Sequence, residues 1–254
     1  MNDEKTRHVA QKLRDASVVT VLTGAGVSKE SGVPTFRDAL EGLWAQYDPA
    51  QLATPQAFRA NPKLVWDWYE WRRALLAKVV PNPGHYALAQ LADYVSRLHL
   101  ITQNVDDLHE QAGSASVIHL HGNIATHKCF DDCQGVSTLI DLSTLAYDSE
   151  AGPPTCPHCG AYVRPNVVWF GESLPSEALS DAVDYANACD VMLVVGTSGM
   201  VSPASELPRV AKQRGAFIIE INPDNSAITP LADLKCEGAS GVVLPQILEA
   251  LRDA

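Results

Sequence analysis

Four stretches of this chain share one construction: a short apolar run, rich in β-branched residues, that breaks abruptly into glycine or a small polar residue. They are SVVTVLTGAG from Ser17, RLHLITQNVD from Arg97, VMLVVGTS from Val191 and FIIEINPD from Phe217. Runs this short and this apolar do not alternate between a wet and a dry face, so they read as strands buried on both sides. Helical patterns alternate with them: HYALAQLADYVS from His85, SEALSDAVDYANAC from Ser176, ASELPRVAKQRG from Ala204 and LPQILEALRDA from Leu244. That alternation predicts an α/β fold, a doubly wound, Rossmann-like parallel sheet with helices on both faces.

In such sheets a ligand sits at the carboxyl edge of the strands. The residues just past the predicted strand ends are Gly24-Ala25-Gly26, Gln103-Asn104 with Asp106, Gly196-Thr197-Ser198, and Asn222. Far apart in sequence, they are expected to converge on one site. Glycines let backbone N–H groups approach a phosphate closely. The first turn, Gly-Ala-Gly-Val-Ser-Lys, lacks the third glycine of the usual dinucleotide fingerprint and the lysine-serine pair of a triphosphate loop. By itself it fits a phosphate loop or a plain tight turn.

With 254 residues, the chain suits one large domain carrying a smaller insert. The large domain is expected over 1–45, 81–125 and 165–254. The insert is expected as a helical module over 46–80 and a metal module over 126–164. Four of the six cysteines, Cys129, Cys133, Cys156 and Cys159, fall within 31 residues as CFDDC and CPHC. Four thiolates close a tetrahedral shell around Zn2+, and a closed shell is structural rather than catalytic. Four free thiols in a loop-rich insert is the plainer alternative. Cys189 and Cys236 read as inert, small, buried groups.

Thirty acidic against 19 basic residues give a net charge of −11. That excludes a surface built to neutralise nucleic-acid phosphates. No apolar run reaches the roughly 18 to 20 residues of a membrane span. The polar beginning MNDEKTRHVAQKLRDAS has neither a secretory apolar core nor a transit composition. A cytoplasmic protein, with no membrane or nucleic-acid partner, is expected, as a monomer or weak oligomer.

The motifs GAGVSKESGVPTFR, QNVDDLH, His121-Gly122, the split cysteine pairs, VVWFGE, GTS and INPD follow one another in the order found in sirtuins. The chain resembles that family of NAD-dependent protein-lysine deacylases from about Ser17 to Leu251. The resemblance implies an NAD loop of Gly24, Ala25, Gly26, Thr35, Phe36 and Arg37, with Phe36 and Arg37 over the nicotinamide end. Gln103, Asn104 and Asp106 match residues holding the nicotinamide ribose and carboxamide. Gly196, Thr197 and Ser198 match the phosphate and adenosine contacts, and Asn222 the adenine ribose. The backbone at Ala239 falls beside the adenine.

His121 matches the catalytic histidine. The resemblance implies that the acyl-lysine carbonyl attacks the nicotinamide ribose and that His121 then acts as general base on a ribose hydroxyl. The products are nicotinamide, free lysine and O-acyl-ADP-ribose. An imidazole titrates near working pH and suits that task. His119, two residues away on what reads as the same strand ending at His121-Gly122, is its nearest rival. His8, His85, His99, His109 and His127 read as structural. Zinc would hold the insert and take no part in the chemistry. Val168, Trp169, Phe170 and Gly171 match the substrate strand, along which a peptide backbone adds as a further strand.

In VWDWYEWRRALL, Tyr69 and Arg72 are spaced i, i+3 and share a helix face. A guanidinium with a phenol beside it is a receptor for a carboxylate. This spacing resembles the sirtuin subclass that removes succinyl, malonyl or glutaryl groups, with deacetylation retained. Small Ala39 after Asp38 adds weak support. Trp66, Trp68 and Trp71 read as packing residues, and Arg73 should point to a different face. The rival activities are ADP-ribosyl transfer or NAD hydrolysis on the same fold, and NAD sensing without turnover.

Overall fold

The computed structural model describes residues 3–33, 47–148 and 150–253. Thr35, Phe36, Arg37, Asp38 and Ala39 lie outside the described residues. The chain divides into two compact units: Met1–Val33 with Val80–Leu120 and Glu177–Ala254, and Pro34–Val79 with His121–Ser176.

In chain order the elements are α1 (Asp3–Asp15), β1 (Val19–Thr23), α2 (Gly26–Lys29), α3 (Pro49–Leu52), α4 (Pro55–Ala60), α5 (Pro62–Leu76), α6 (Pro83–Leu91), β2 (Leu98–Thr102), α7 (Leu108–Gln111), β3 (Val117–His119), β4 (Gly122–Cys129), β5 (Val163–Val167), α8 (Ser176–Ala188), β6 (Val191–Val195), α9 (Leu207–Gln213), β7 (Phe217–Asn222), β8 (Leu234–Glu237) and α10 (Ser240–Arg252).

The first unit is built on a sheet of order β3-β2-β1-β6-β7-β8, with every pairing parallel. From β1 the chain runs outward through β2 to β3. It then returns to the other side of β1 with β6 and continues to β7 and β8. The order therefore reverses between β1 and β6, the switch point at which doubly wound sheets bind ligands. All residues of β1 and β6 are buried. Val19, Val21, Leu193, Val195, Ile219 and Ile221 pack in one cluster with Val9 and Leu13 of α1, Leu88 and Leu91 of α6, and Ile247 and Leu251 of α10. The alternating Leu22, Ile101, Met192, Val194 and Ile218 are buried as well. With a side-chain period of two, both faces are covered, as the apolar runs predict.

The register keeps the carboxyl ends level: Thr23 lies opposite both Thr102 and Val195, and Val195 opposite Ile221. Two strand expectations differ from the structure. β3 stops at His119 rather than continuing to Gly122, because β2 ends at Thr102 and Leu120 N–H takes the last available carbonyl there, at 3.0 Å. β8 is an addition: LKCE is a short edge strand without a continuous apolar run.

In the second unit the 49–80 region breaks into three helices where caps and prolines coincide. Thr54 caps α4 ahead of Pro55, and Asn61 Oδ1 accepts the Leu64 N–H at 3.1 Å ahead of Pro62. α5 buries Val65, Trp66, Trp68 and Tyr69. β4 pairs antiparallel with β5, and among the described residues no helix is long and apolar enough to cross a membrane.

Candidate active site

At the switch point two glycine turns lie against each other at backbone distance. Gly24 N–H donates to Val195 O at 3.0 Å, and Gly26 N–H donates to Gly196 O at 2.8 Å. A Cβ on Gly26 would sit 2.7 Å from Gly196 O, and one on Gly196 would sit 2.5 Å from Val27 N. Gly196 also has φ +60, a left-handed conformation that favours glycine. No side chain fits at either position, so β1 can pass directly into α2 beside the end of β6. The turn is therefore not free-standing: it packs directly against the turn after β6.

The other two strand ends fasten onto the same loops. Gln103 Nε2 donates to Thr197 Oγ1 at 3.0 Å, and Asn222 Nδ2 donates to Thr197 O at 2.8 Å. Asn104 Nδ2 donates to Ser28 Oγ at 3.0 Å. The four polar segments thus meet at one edge of the sheet. Ala239 stands at the N-cap of α10, where Gly241 N–H and Ser240 Oγ donate to the Glu30 carboxylate at 2.7 and 3.1 Å. Glu30 thereby ties the end of the α2 loop to the start of α10.

Ser28, absent from the motif reading, is the buried hub of this network. His85 Nδ1 accepts the Asn82 N–H at 3.3 Å, which puts the ring proton on Nε2, 3.4 Å from Ser28 Oγ. Ser28 Oγ therefore receives bonds from His85 and Asn104, and its own proton goes to Asp106. Burial pushes the Asp106 carboxyl up, against the bonds from Ser28 and from Leu108 N–H. His109 Nε2 reaches Thr23 Oγ1 at 3.0 Å. Burial lowers His85 to about 4 and His109 to about 3, so both rings are neutral structural groups.

His119 is held on both sides: Nδ1 is 3.3 Å from Asn104 O, and Nε2 is 2.6 Å from Glu110 Oε1. It sits on β3, whereas His121 lies past that strand and immediately before β4. His121 is half-buried, and its carbonyl accepts the Val168 N–H at 2.9 Å. Gly122, with φ +75, turns the chain there. A Cβ on it would fall 2.0 Å from Asn166 O, so the His-Gly pair permits no larger second residue.

In the second unit Tyr69 and Arg72 share a face of α5, with the Arg72 guanidinium carbon 5.9 Å from the Tyr69 ring centre and 4.9 Å from that of Trp68. Burial raises the Tyr69 hydroxyl and lowers Arg72. Arg73 turns elsewhere, pairing with Glu70 and donating from Nε to Ile124 O at 2.9 Å. Trp66 and Trp68 are fully buried packing residues. Past β5, Val168 is half-buried, Phe170 is exposed, and Gly171 has φ +87. Phe170 N–H donates to Ala53 O at 2.9 Å.

The sulfurs of Cys129, Cys133, Cys156 and Cys159 all lie within 4.8 Å of one another. Cys129 and Cys159 sulfurs are 3.6 Å apart, and those of Cys133 and Cys156 are 3.8 Å apart. A tetrahedron with Zn–S bonds of about 2.3 Å has edges of about 3.8 Å, so the donor set and its spacing fit zinc. Gly160, with φ +80, lets the second pair close its knuckle.

A model of the Sir2 family matches residues 24–203. The chain belongs to the Sir2 family. It is 53% identical over 234 residues to an NAD-dependent protein deacylase of Ralstonia nicotianae, covering 92% of each chain. It is 50% identical over 244 residues to one of Methylococcus capsulatus, covering 94% of each. Among solved structures, a Sir2 homologue in complex with NAD superposes with a TM-score of 0.85 at 42% identity, covering 100% of this chain and 94% of the other. A Sir2 protein bound to a myristoylated histone peptide gives 0.74 at 34% identity, covering 99% and 98%.

For this Sir2 chain the sequence pattern brought out the glycine turns, Gln103, Asn104, Asn222 and the four cysteines. It missed Ser28 and Glu30. The available signal for Ser28 is its place directly after the Gly24-Ala25-Gly26-Val27 turn, where a polar side chain must find a partner in the core.

Proposed function

We infer that this Sir2 protein is an NAD-dependent protein-lysine deacylase. The observation that carries the reading is the glycine cradle at the switch point: a Cβ on Gly24, Gly26 or Gly196 would strike backbone, and the polar ends of β2 and β7 bond to the same loops. That cradle fits a dinucleotide. When bound, NAD supplies an electrophilic ribose carbon with nicotinamide as its leaving group.

The chain's own residues bind and orient around that carbon. Gly24, Ala25, Gly26, Gly196, Thr197 and Ser198 would hold the phosphates and adenosine, Asn222 the adenine ribose, and Ala239 the adenine edge. Gln103, Asn104 and Asp106 would hold the nicotinamide end, with Ser28 fixing both Asn104 and Asp106. Thr35, Phe36 and Arg37 belong to the same loop by motif. His121 would accept the proton of a ribose hydroxyl. His119 is held at both ring nitrogens by Asn104 O and Glu110, and the His-Gly motif supports His121 as the base. The four cysteines would hold structural zinc, with no open position for water.

The acyl substrate is a lysine bearing a carboxylate-terminated group, succinyl or malonyl, with acetyl also accepted. Buried Tyr69 and half-buried Arg72 on one face of α5 support it, since a guanidinium with a phenol beside it can bind a carboxylate by charge-assisted and neutral hydrogen bonds. Val168, Phe170 and Gly171 would line the peptide. A net charge of −11 supports a protein without nucleic-acid partners, and six cysteines with none paired as disulfides suit a cytoplasmic protein; cell fractionation tests the compartment, and sedimentation tests a monomer or weak oligomer.

The deciding experiment offers acetyl, succinyl, malonyl and glutaryl versions of one lysine peptide, with and without NAD. O-acyl-ADP-ribose measured by mass, formed fastest from the dicarboxylic acyl groups, is the expected result. Nicotinamide release without acyl-peptide would instead indicate an ADP-ribosyltransferase or NAD glycohydrolase.

A further inference from the structure

Trp169 lies just past β5 and is buried. Its indole Nε1 donates to Tyr69 Oη at 2.8 Å. An indole N–H only donates, so Tyr69 must be the acceptor in this bond. The phenol's own proton is then directed to a second acceptor. Among the described residues Trp169 is the hydrogen-bond partner recorded for Tyr69 Oη. A phenol in this state is a donor waiting for an oxygen.

The indole is itself clamped. The Arg164 guanidinium carbon stacks 3.3 Å from its ring centre. Arg164 is fully buried and bonds Glu172 through two nitrogens, at 2.5 and 3.0 Å. Glu172 Oε2 also accepts the Trp169 backbone N–H at 2.8 Å. The carboxylate, guanidinium, indole and phenol thus form one chain, in which each group fixes the next. The rings of Tyr69 and Trp169 are 6.2 Å apart at 32°. Phe58 packs against Trp169 at 5.3 Å and limits its rotation.

We propose that Trp169 is a positioning residue for acyl selectivity: by donating to Tyr69 Oη it turns the Tyr69 hydroxyl into an oriented donor for the terminal carboxylate of the acyl group. Phenylalanine at position 169 would keep an aromatic ring against Arg164 and Phe58, remove the pyrrole half of the buried indole and, with it, the donor. Tyr69 could then rotate its proton freely, and the receptor would lose its orientation but not its phenol. The inference rests on the reading that carboxylate-terminated acyl groups are the substrate.

The test compares succinyl-lysine and acetyl-lysine versions of one peptide on the full chain. Trp169→Phe should lower the succinyl-to-acetyl ratio of kcat/KM about fivefold, mainly through KM for the succinyl peptide, as for loss of one oriented hydrogen bond. A general packing defect would depress both substrates and leave the ratio alone. Tyr69→Phe should lower the ratio at least as far, and Trp169→Phe added to it should lower it no further. An unchanged ratio in Trp169→Phe, or an additive fall in the double variant, overturns the proposal. If Trp169→Phe does not fold, the 15N-indole resonance of Trp169 is followed in wild type and Tyr69→Phe. It should shift when the phenol is lost, and an unmoved resonance overturns the proposal equally. A wild-type protein without succinyl preference brings down the acyl reading and this inference with it. A wild-type preference that survives Trp169→Phe brings down this inference alone.

Discussion

The imidazole Nε2 of His119 lies 2.6 Å from Glu110 Oε1, and its other ring nitrogen faces Asn104 O at 3.3 Å. A histidine two residues before the proposed base is thus locked between Asn104 and Glu110. Burial opposes charge on this ring, but the Glu110 carboxylate and the Asn104 carbonyl outweigh it, and the pKa is raised. For Glu110 burial acts upward, and the His119 bond more than reverses it.

The sign of the pH dependence follows. A histidine raised in the folded state lends stability that is full below its unfolded value of about 6.5 and is lost as pH rises through the folded value. Glu110, lowered in the folded state, lends stability above its unfolded value that is lost as pH falls through the folded one. His119→Gln should therefore lower Tm by on the order of 2 °C near pH 6 and by less at pH 9. Thermal unfolding of both proteins across that range checks it. A deficit that grows toward alkaline pH would contradict the pairing.

His121→Ala should reduce deacylation by about two to four orders of magnitude while leaving NAD binding within about twofold. Calorimetric titration with NAD and product mass spectrometry separate the two effects. Its backbone carbonyl, which accepts from Val168 N–H, is untouched by the change. Turnover retained at wild-type rate would remove His121 as base.

Much of this site could be read before the fold was known, and the reason is local. β1, β2, β6 and β7 are mainly apolar because both faces are covered, with His99 in β2 and Glu220 in β7 as exceptions, and their carboxyl ends lie level in the sheet. The reading failed where structure depends on partners distant in sequence. β4 carries Asn123, Thr126, His127 and Lys128, and becomes a strand only by pairing with β5. β3 was drawn too long because its end is set by Thr102 on the neighbouring strand. Glu30 carries no signal of its own within a polar stretch. Its role depends on Gly241, 211 residues later.

Tyr69→Phe combined with Arg72→Met should depress desuccinylation at least tenfold more than deacetylation, since a charge-assisted bond and a neutral one are both removed. Steady-state kinetics on paired peptides measures it. Equal losses on both acyl groups would mean that this helix face supports packing rather than recognition.

Gly26→Ala should raise KM for NAD about tenfold or more. The new Cβ would lie 2.7 Å from Gly196 O and 2.8 Å from Gly196 Cα, both backbone atoms that cannot rotate away. The two glycine turns must then part, and the amides of both loops lose their common orientation. ADP-ribose binding, which needs no nicotinamide contact, should weaken in parallel. Unaltered ADP-ribose affinity in a folded Gly26→Ala protein would show that the loops need not touch for the cofactor to bind.

The metal prediction follows from how little else holds its module together. Around the cysteines the buried cluster consists of Cys129, Ile140, Cys156 and Val163, two of which are themselves ligands. Ile140 and Val163, with Leu142, Leu145 and Ala161 partly buried against them, make a small core for the intervening chain, so sulfur–metal bonds are expected to contribute much of its order. Wild-type protein should carry about one zinc ion per chain by elemental analysis. Cys156→Ser should lose it, and amide hydrogen exchange should accelerate between Cys129 and Val163. β1 and β6 belong to the other compact unit and should keep their protection. Serine is nearly the size of cysteine, so a loss of order would reflect the ligand rather than the packing. Wild-type protein free of zinc, or a Cys156→Ser protein that keeps both metal and slow exchange, would contradict a structural four-thiolate site.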